Sequence, residues 1–235
     1  QHDSRAHRYP RTEMSGVRHT MEPMSIPEIR DGWTIVVPVK PAALGKTRLT
    51  SVTADREALA RAIALDTIAA AAATPRVSHV LVVTDDAEVS ASVSQWPAVD
   101  VVPEGDVRGL DAAIALGTDA AGQGAPRAAL LGDVPALTPQ DLDAALKLAG
   151  EVERGLVPDA EGTGSTLVTA RPGAVWVSAF GADSAARHRL LGCTDLAVPR
   201  GSSLRRDVDT AVQLAEAVAL GVGPRTAAVL AAAAA

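Results

Sequence analysis

The chain has 235 residues, a length that suits one large α/β domain. Apolar residues make up 47% and aromatics only 2%, which implies a sizeable core built from Ala, Val and Leu. The formal net charge of −6 excludes a global basic field for nucleic acid or an anionic membrane, and a single cysteine, Cys193, excludes an intramolecular disulfide or a cysteine-cluster zinc site. No apolar run approaches the ~20 residues of a membrane span. The first residues are polar and basic without an apolar stretch, so a secretory signal is not expected and a reducing cytoplasm is.

Residues 1–31 lack sustained periodicity and are read as a flexible extension or tag; His2, His7 and His19 are too irregularly spaced there to argue for a metal. From Trp33 the texture alternates. Trp33–Val39 reads as a buried first strand, about 54–73 as a helix stopped at Thr74-Pro75, and Val80–Thr84 as a second strand. A short helix to about Val93, a strand at Val99–Val102, a helix over Gly109–Ala121 and a strand at Ala128–Leu131 follow. Thr138-Pro139-Gln-Asp141 is a helix start with Thr as cap and Pro in the first position. Extended segments near 155–158 and 165–170 precede a helix at Asp183–Leu191, a last strand at Leu196–Val198 and a final helix at Asp207–Leu220. Residues 32–223 form the predicted domain, and 224–235 are read as a C-terminal tail. Such alternation implies a mostly parallel sheet with helices on both faces, whose ligands collect beyond the carboxyl ends of the strands.

The segments after the strands therefore carry the chemistry. After the first come the cations Lys40, Lys46 and Arg48 with Gly45 among them, placed for a triphosphate. Gly45-Lys46-Thr47 resembles the end of a P-loop, but that motif needs a glycine where Lys40 stands. After the fourth strand, Asp133 is placed to hold Mg²⁺, or equally to cap a turn. Asp207 and Asp209 are two apart, so an extended backbone puts both carboxylates on one side; the alternative is an acidic helix start. Glu161–Thr166 and Phe180–His188 are Gly/Ser/Thr segments whose backbone N–H groups suit an anion.

Taken in order, Pro38-Val-Lys40 with Lys46 and Arg48, Gly109-Leu-Asp111, Leu-Gly-Asp133-Val-Pro135, Pro158-Asp159-Ala-Glu161-Gly-Thr-Gly-Ser-Thr166, Phe180-Gly181 with Ser184 and Arg187-His188, and Arg206-Asp207-Val-Asp209-Thr form a series. Over about residues 33–222 this series resembles the guanylyltransferases of coenzyme F420 biosynthesis, which act on 2-phospho-L-lactate or, in actinobacteria, phosphoenolpyruvate. The resemblance implies a single-domain GT-A-like (Rossmann-like) nucleotidyltransferase fold and transfer of GMP from GTP to the phospho-acid with release of pyrophosphate. It implies Mg²⁺ on Asp133, Asp207 and Asp209; GTP near Lys40, Lys46, Arg48, Gly109 and Asp111; and the acid on Thr166, Gly181 and Ser184. It also implies functional coupling to the downstream transferase that joins the product to Fo. The family often has Asn where this chain has Asp111, whose carboxylate could accept from guanine N1–H and N2–H₂. An Ala- and Arg-rich composition looks actinobacterial and favours phosphoenolpyruvate. The alternatives are a same-fold enzyme with another phosphorylated acceptor, or a non-catalytic GTP-binding module. His188 is read as structural or substrate-facing.

Overall fold

The structure is a computed structural model that describes residues 32–41 and 55–234. Strand β1 (Trp33–Pro38) is buried throughout, and α1 (Arg56–Ala72) begins where the Asp55 carboxylate accepts from the Glu57 amide at 2.9 Å. Then come β2 (Val77–Val83), α2 (Ala87–Val93), β3 (Val99–Val102), α3 (Leu110–Ala121) and β4 (Arg127–Leu130). The second half holds α4 (Pro139–Ala149), β5 (Arg154–Pro158), β6 (Ser165–Ala170), α5 (Ser184–Leu190), a short β7 (Thr194–Asp195), α6 (Ala211–Leu220) and α7 (Pro224–Ala234). Among the described residues no single helix is long and apolar enough to cross a membrane.

The strands form one sheet in the order β3-β2-β1-β4-β6-β5-β7. All pairs are parallel except those of β6, which runs against both β4 and β5. The expected mostly parallel sheet is present, and its one reversal matters. Because β6 runs backwards, its first residue Ser165 lies beside Pro158, the last of β5, and Leu167 lies beside Leu130, the last of β4. The start of β6 thus joins the carboxyl ends of its neighbours at one edge.

Alternation along β1 divides the core. Ile35 and Val37 pack with Ile68 of α1, Val89 of α2 and Leu142 of α4. Val36 faces the other way and packs with Val83 and with Ala113 of α3. Gly117 lets α3 lie close on the sheet, since a Cβ there would collide with the side chains of Val36 and Val83. Farther along this face Ile114, Ala129 and Val168 pack with Phe180 and Ala185. Helices cover both faces, as the sequence predicts.

Three local expectations are corrected. The last strand is Thr194–Asp195, not Leu196–Val198: the Val198 amide turns back to the Leu196 carbonyl at 2.7 Å and breaks the ladder. The final helix over Asp207–Leu220 begins only at Ala211, where Thr210 and Gln213 form a reciprocal capping box. Residues 224–235, expected as a tail, contain α7. Its first turn is held by the buried Asp66 of α1, whose carboxylate accepts from the amides of Arg225 at 3.2 Å and Thr226 at 2.7 Å. Val229 and Leu230 then pack against Leu59 and Ile63.

Asp66 therefore joins α1 to the C-terminal helix. Replacing it by alanine leaves two helix-start amides unpaired, and Asp66→Ala is expected to cost ~2–3 kcal/mol. A urea titration followed by circular dichroism should show a lower midpoint with partial loss of helix before the main transition.

Candidate functional site

A cleft of about 680 Å³ opens beyond the strand ends. Lys40 after β1, Leu131-Gly132-Asp133 after β4, Asp159 and Glu161 after β5, and Ser165 at the start of β6 all line it. Gly181 to Ser184 close one side, and Asp207, Asp209 and Gln213 another. Lys40 is the one basic side chain lining the cleft among the described residues.

The acidic side is assembled by backbone contacts. The Val208 amide donates to the Asp133 carbonyl at 2.9 Å, which brings the 207–209 segment against the loop after β4. Capping at Thr210 keeps Asp207 and Asp209 outside the helix, with buried Val208 between them. The Ala160 amide donates to the Arg205 carbonyl at 2.8 Å and adds the loop after β5. Ligand atoms of Asp159, Glu161 and Asp207 lie within 4.8 Å of one another.

The local chemistry of these acids differs. Asp159 is buried, and its two oxygens accept from the amides of Thr163 at 2.9 Å and Gly164 at 2.6 Å. Glu161 accepts from Arg206 at 2.6 Å. Desolvation works against that carboxylate, but the Arg206 hydrogen bond and charge, with help from Gln213, hold it below its usual range. Asp207 carries most of the electrostatic cost: burial first, then the like charges of Asp133, Asp159 and Asp209, push its carboxyl up to about 7. Its Oδ1 is buried with no hydrogen-bond partner among the described residues. An all-oxygen donor set, crowded negative charge and an orphaned carboxylate oxygen are what a hard divalent cation fits.

The opposite wall is neutral and rich in donors. Ser165 and Ser184 are buried at its base with their hydroxyls 3.2 Å apart. The loop from Phe180 to Asp183 is pinned on both sides: the Phe180 amide donates to Asp111 Oδ1 at 2.9 Å, and its carbonyl accepts from Arg187 at 2.8 Å. Gly181 takes φ +106, a conformation suited to glycine, and Asp183 takes φ +53. No protein acceptor engages the amides of Gly181, Ala182 or Asp183 among the described residues. The Ala185 amide donates to the Thr163 carbonyl at 3.0 Å and locks this loop to the segment before β6.

The predicted residues divide as follows. Asp133, Asp207 and Asp209 come together in the cleft, as do Lys40, Gly181 and Ser184. Thr166 is fully buried behind Ser165, its carbonyl accepting from the Leu131 amide at 3.0 Å, and it does not line the cleft. Gly109 is the N-cap of α3 with φ +97 and is also off the lining, while Asp111 is engaged by the Phe180 amide. Lys46 and Arg48 lie outside the described residues. Sequence reasoning does not assign Asp159, Glu161, Ser165 or Gln213. The signal is present for the first two, since Pro158-Asp159-Ala-Glu161 leaves a strand as Asp133 does.

Comparison with known proteins identifies the family. The family model described as guanylyl transferase CofC like matches residues 33–191. A phosphoenolpyruvate guanylyltransferase of Streptomyces coelicolor is 48% identical over 204 residues, covering 85% of this chain and 96% of that protein. One from Salinispora arenicola is 47% identical over 199 residues, covering 83% and 92%. Among solved structures, a putative nucleotide-diphospho-sugar transferase from Desulfovibrio desulfuricans G20 superposes with a TM-score of 0.53 at 17% identity, covering 80% of this chain and 96% of that one. A 4-diphosphocytidyl-2C-methyl-D-erythritol synthase gives 0.53 at 13% identity, covering 81% and 99%. These two establish the nucleotidyltransferase fold alone. With a family model matching residues 33–191, and relatives close to half identical over most of their length, the chain belongs to the CofC-like guanylyl transferase family.

Proposed function

We propose that this protein transfers GMP from GTP to phosphoenolpyruvate, forming enolpyruvyl-diphospho-guanosine and pyrophosphate, with Mg²⁺ as the metal. The observation that carries the reading is a single cleft whose one wall is a carboxylate cluster centred on Asp207 and whose other is the donor-rich Ser165, Gly181 and Ser184 surface. The names of the relatives supply the acid and the nucleotide. 2-Phospho-L-lactate would fit the same donors and is the second acceptor to test.

In this reading the acid's carboxylate sits against Ser184 and the open amides near Gly181, with its phosphate toward the aspartates. A phosphate oxygen attacks the α-phosphorus of GTP, a new P–O bond forms, and the bond to the bridging oxygen of pyrophosphate breaks. That nucleophile is already ionised, so no general base is required. Asp133, Asp207 and Asp209 would hold a divalent cation, which would supply positive charge to offset repulsion between the anionic reactants and to stabilise the leaving pyrophosphate. Asp159 and Glu161 buttress this set, the first held by amides and the second by Arg206. Lys40 adds a cation on the GTP side, with Lys46 and Arg48 assigned there by resemblance alone. Asp111 is better explained as the anchor of the Phe180 amide than as a reader of guanine. A cytoplasmic setting suits Cys193, because burial pushes its thiol pKa up and leaves it inert. The product would pass to the transferase that joins it to Fo.

Incubation with GTP, Mg²⁺ and each acid separately, coupled to that transferase, should release pyrophosphate with phosphoenolpyruvate and stop on chelation by EDTA. No release with any acid would sink the catalytic reading. Asp207→Asn and Asp209→Ala should each lower turnover by at least ~100-fold through loss of charge stabilisation in the transition state. Without divalent cations Asp207→Asn should melt no lower than the parent, because it relieves like-charge repulsion; a clear fall in melting temperature would contradict that account. Ser184→Ala should raise the KM for the acid by roughly ten-fold with little change in that for GTP.

A further inference from the structure

We propose that His188 is a positioning residue for the acid substrate: its ring fixes the Ser165–Ser184 hydroxyl pair as a net hydrogen-bond donor to an anion in the cleft. The inference rests on the proposed function above and extends it to a residue that touches neither substrate nor metal.

Hydrogen bonds to the His188 ring allow only one tautomer. His188 is fully buried, with Phe180 edge-on at 4.8 Å between ring centroids. Its Nε2 lies 2.9 Å from the Ala179 amide, a group that can only donate, so Nε2 must accept. A ring that accepts at Nε2 is neutral and carries its proton on Nδ1. Burial, which pulls the ring's pKa down to about 4, keeps it neutral near pH 7. Nδ1 lies 2.9 Å from Ser165 Oγ, so the imidazole donates to that hydroxyl.

The hydroxyl protons of the serine pair set what the cleft presents. Ser165 and Ser184 together hold two hydroxyl protons, and the 3.2 Å bond between them uses one. The other has no acceptor within reach among the described residues, and both serines line the cleft. One hydroxyl proton is thus left for whatever binds there. The opposite tautomer would use both: Ser165 would donate to Nδ1, Ser184 would donate to Ser165, and the pair would have nothing to offer an anion. His188 therefore sets the sign of the site, a donor surface that accepts a carboxylate and disfavours a cation.

Two measurements test this. In the intact protein, ¹⁵N NMR of the imidazoles should find one histidine that is neutral, protonated on Nδ1 and unchanged from pH 8 to pH 5; an Nε2–H tautomer or a charged ring at His188 overturns the proposal. Steady-state kinetics should then separate two conservative variants. His188→Asn places an amide N–H near the position of Nδ1 and should keep the KM for phosphoenolpyruvate within about three-fold of the parent. His188→Gln reaches the Ala179 amide but not Ser165, and should raise that KM by roughly ten- to hundred-fold, the worth of a hydrogen bond to a charged group, with the KM for GTP unchanged. His188→Gln should add nothing in a Ser165→Ala background. Equal KM values for both variants, or the same loss with Ser165 absent, would mean that the histidine only packs. If the parent protein turns over no phospho-acid, the proposed function fails, whereas an active parent with an indifferent His188→Gln defeats this inference alone.

Discussion

The hydrogen bond from the Val208 amide to the Asp133 carbonyl, 2.9 Å long, is a small contact with large electrical consequences. It fastens a segment near the C-terminal helices to the loop after β4 and carries Asp207 and Asp209 with it. Buried Val208 sits between two acids that both line the cleft. Four aspartates then act on one another at the ends of the strands, and a buried oxygen among them, on Asp207, is left without a partner among the described residues. A fold gains nothing in stability from such crowding. Like charges in a site partly withdrawn from water repel strongly, which is why such an arrangement points to a cation.

The surrounding structure restrains this repulsion without abolishing it. Asp159 is satisfied by two amides of its own turn, and Glu161 by Arg206, which also reaches Glu216 at 3.1 Å. The Arg205 guanidinium is held by the carbonyls of Pro158 and Asp159, which keeps the loop after β5 in place. Across the cleft the contacts are of the opposite kind: hydroxyls, open amides and a neutral histidine. One wall collects negative charge and the other offers donors. A substrate that carries a carboxylate at one end and a phosphate at the other can use both walls at once, and this polarity is the physical basis for reading the cleft as a site for phospho-acids.

Much of this architecture is legible in the chain itself. Buried apolar runs announce β1, β2 and β4, and Thr138-Pro139 announces the start of α4, because those signals depend on neighbours in sequence. Acids that follow strands mark Asp133 as a ligand candidate for the same reason. Errors fall where distant contacts overrule local preference. The Ala-rich end reads as a tail, yet Asp66, far back in α1, caps it into a helix. The strand predicted at Ala128–Leu131 starts one residue earlier, at Arg127, whose guanidinium is buried and held by the carbonyls of Gly122 and Ala174. The resemblance assigns Thr166, and it is the tertiary structure that brings the adjacent Ser165 to the cleft lining.

By itself the sequence determined the alternating architecture, the strand ends where chemistry had to lie, and the acids available there, since periodicity, capping and residue type are local properties. It could not say that β6 runs against its neighbours, because strand direction within a sheet is settled by packing across the whole domain. That reversal places Ser165 beside the ends of β4 and β5. Tertiary structure likewise decided that Asp159 and Glu161 join the aspartates, that Asp111 anchors Phe180, and that His188 donates to Ser165. Each of these is a hydrogen bond or a Coulombic contact between residues far apart in the chain, and its sign depends on burial that only the assembled core creates.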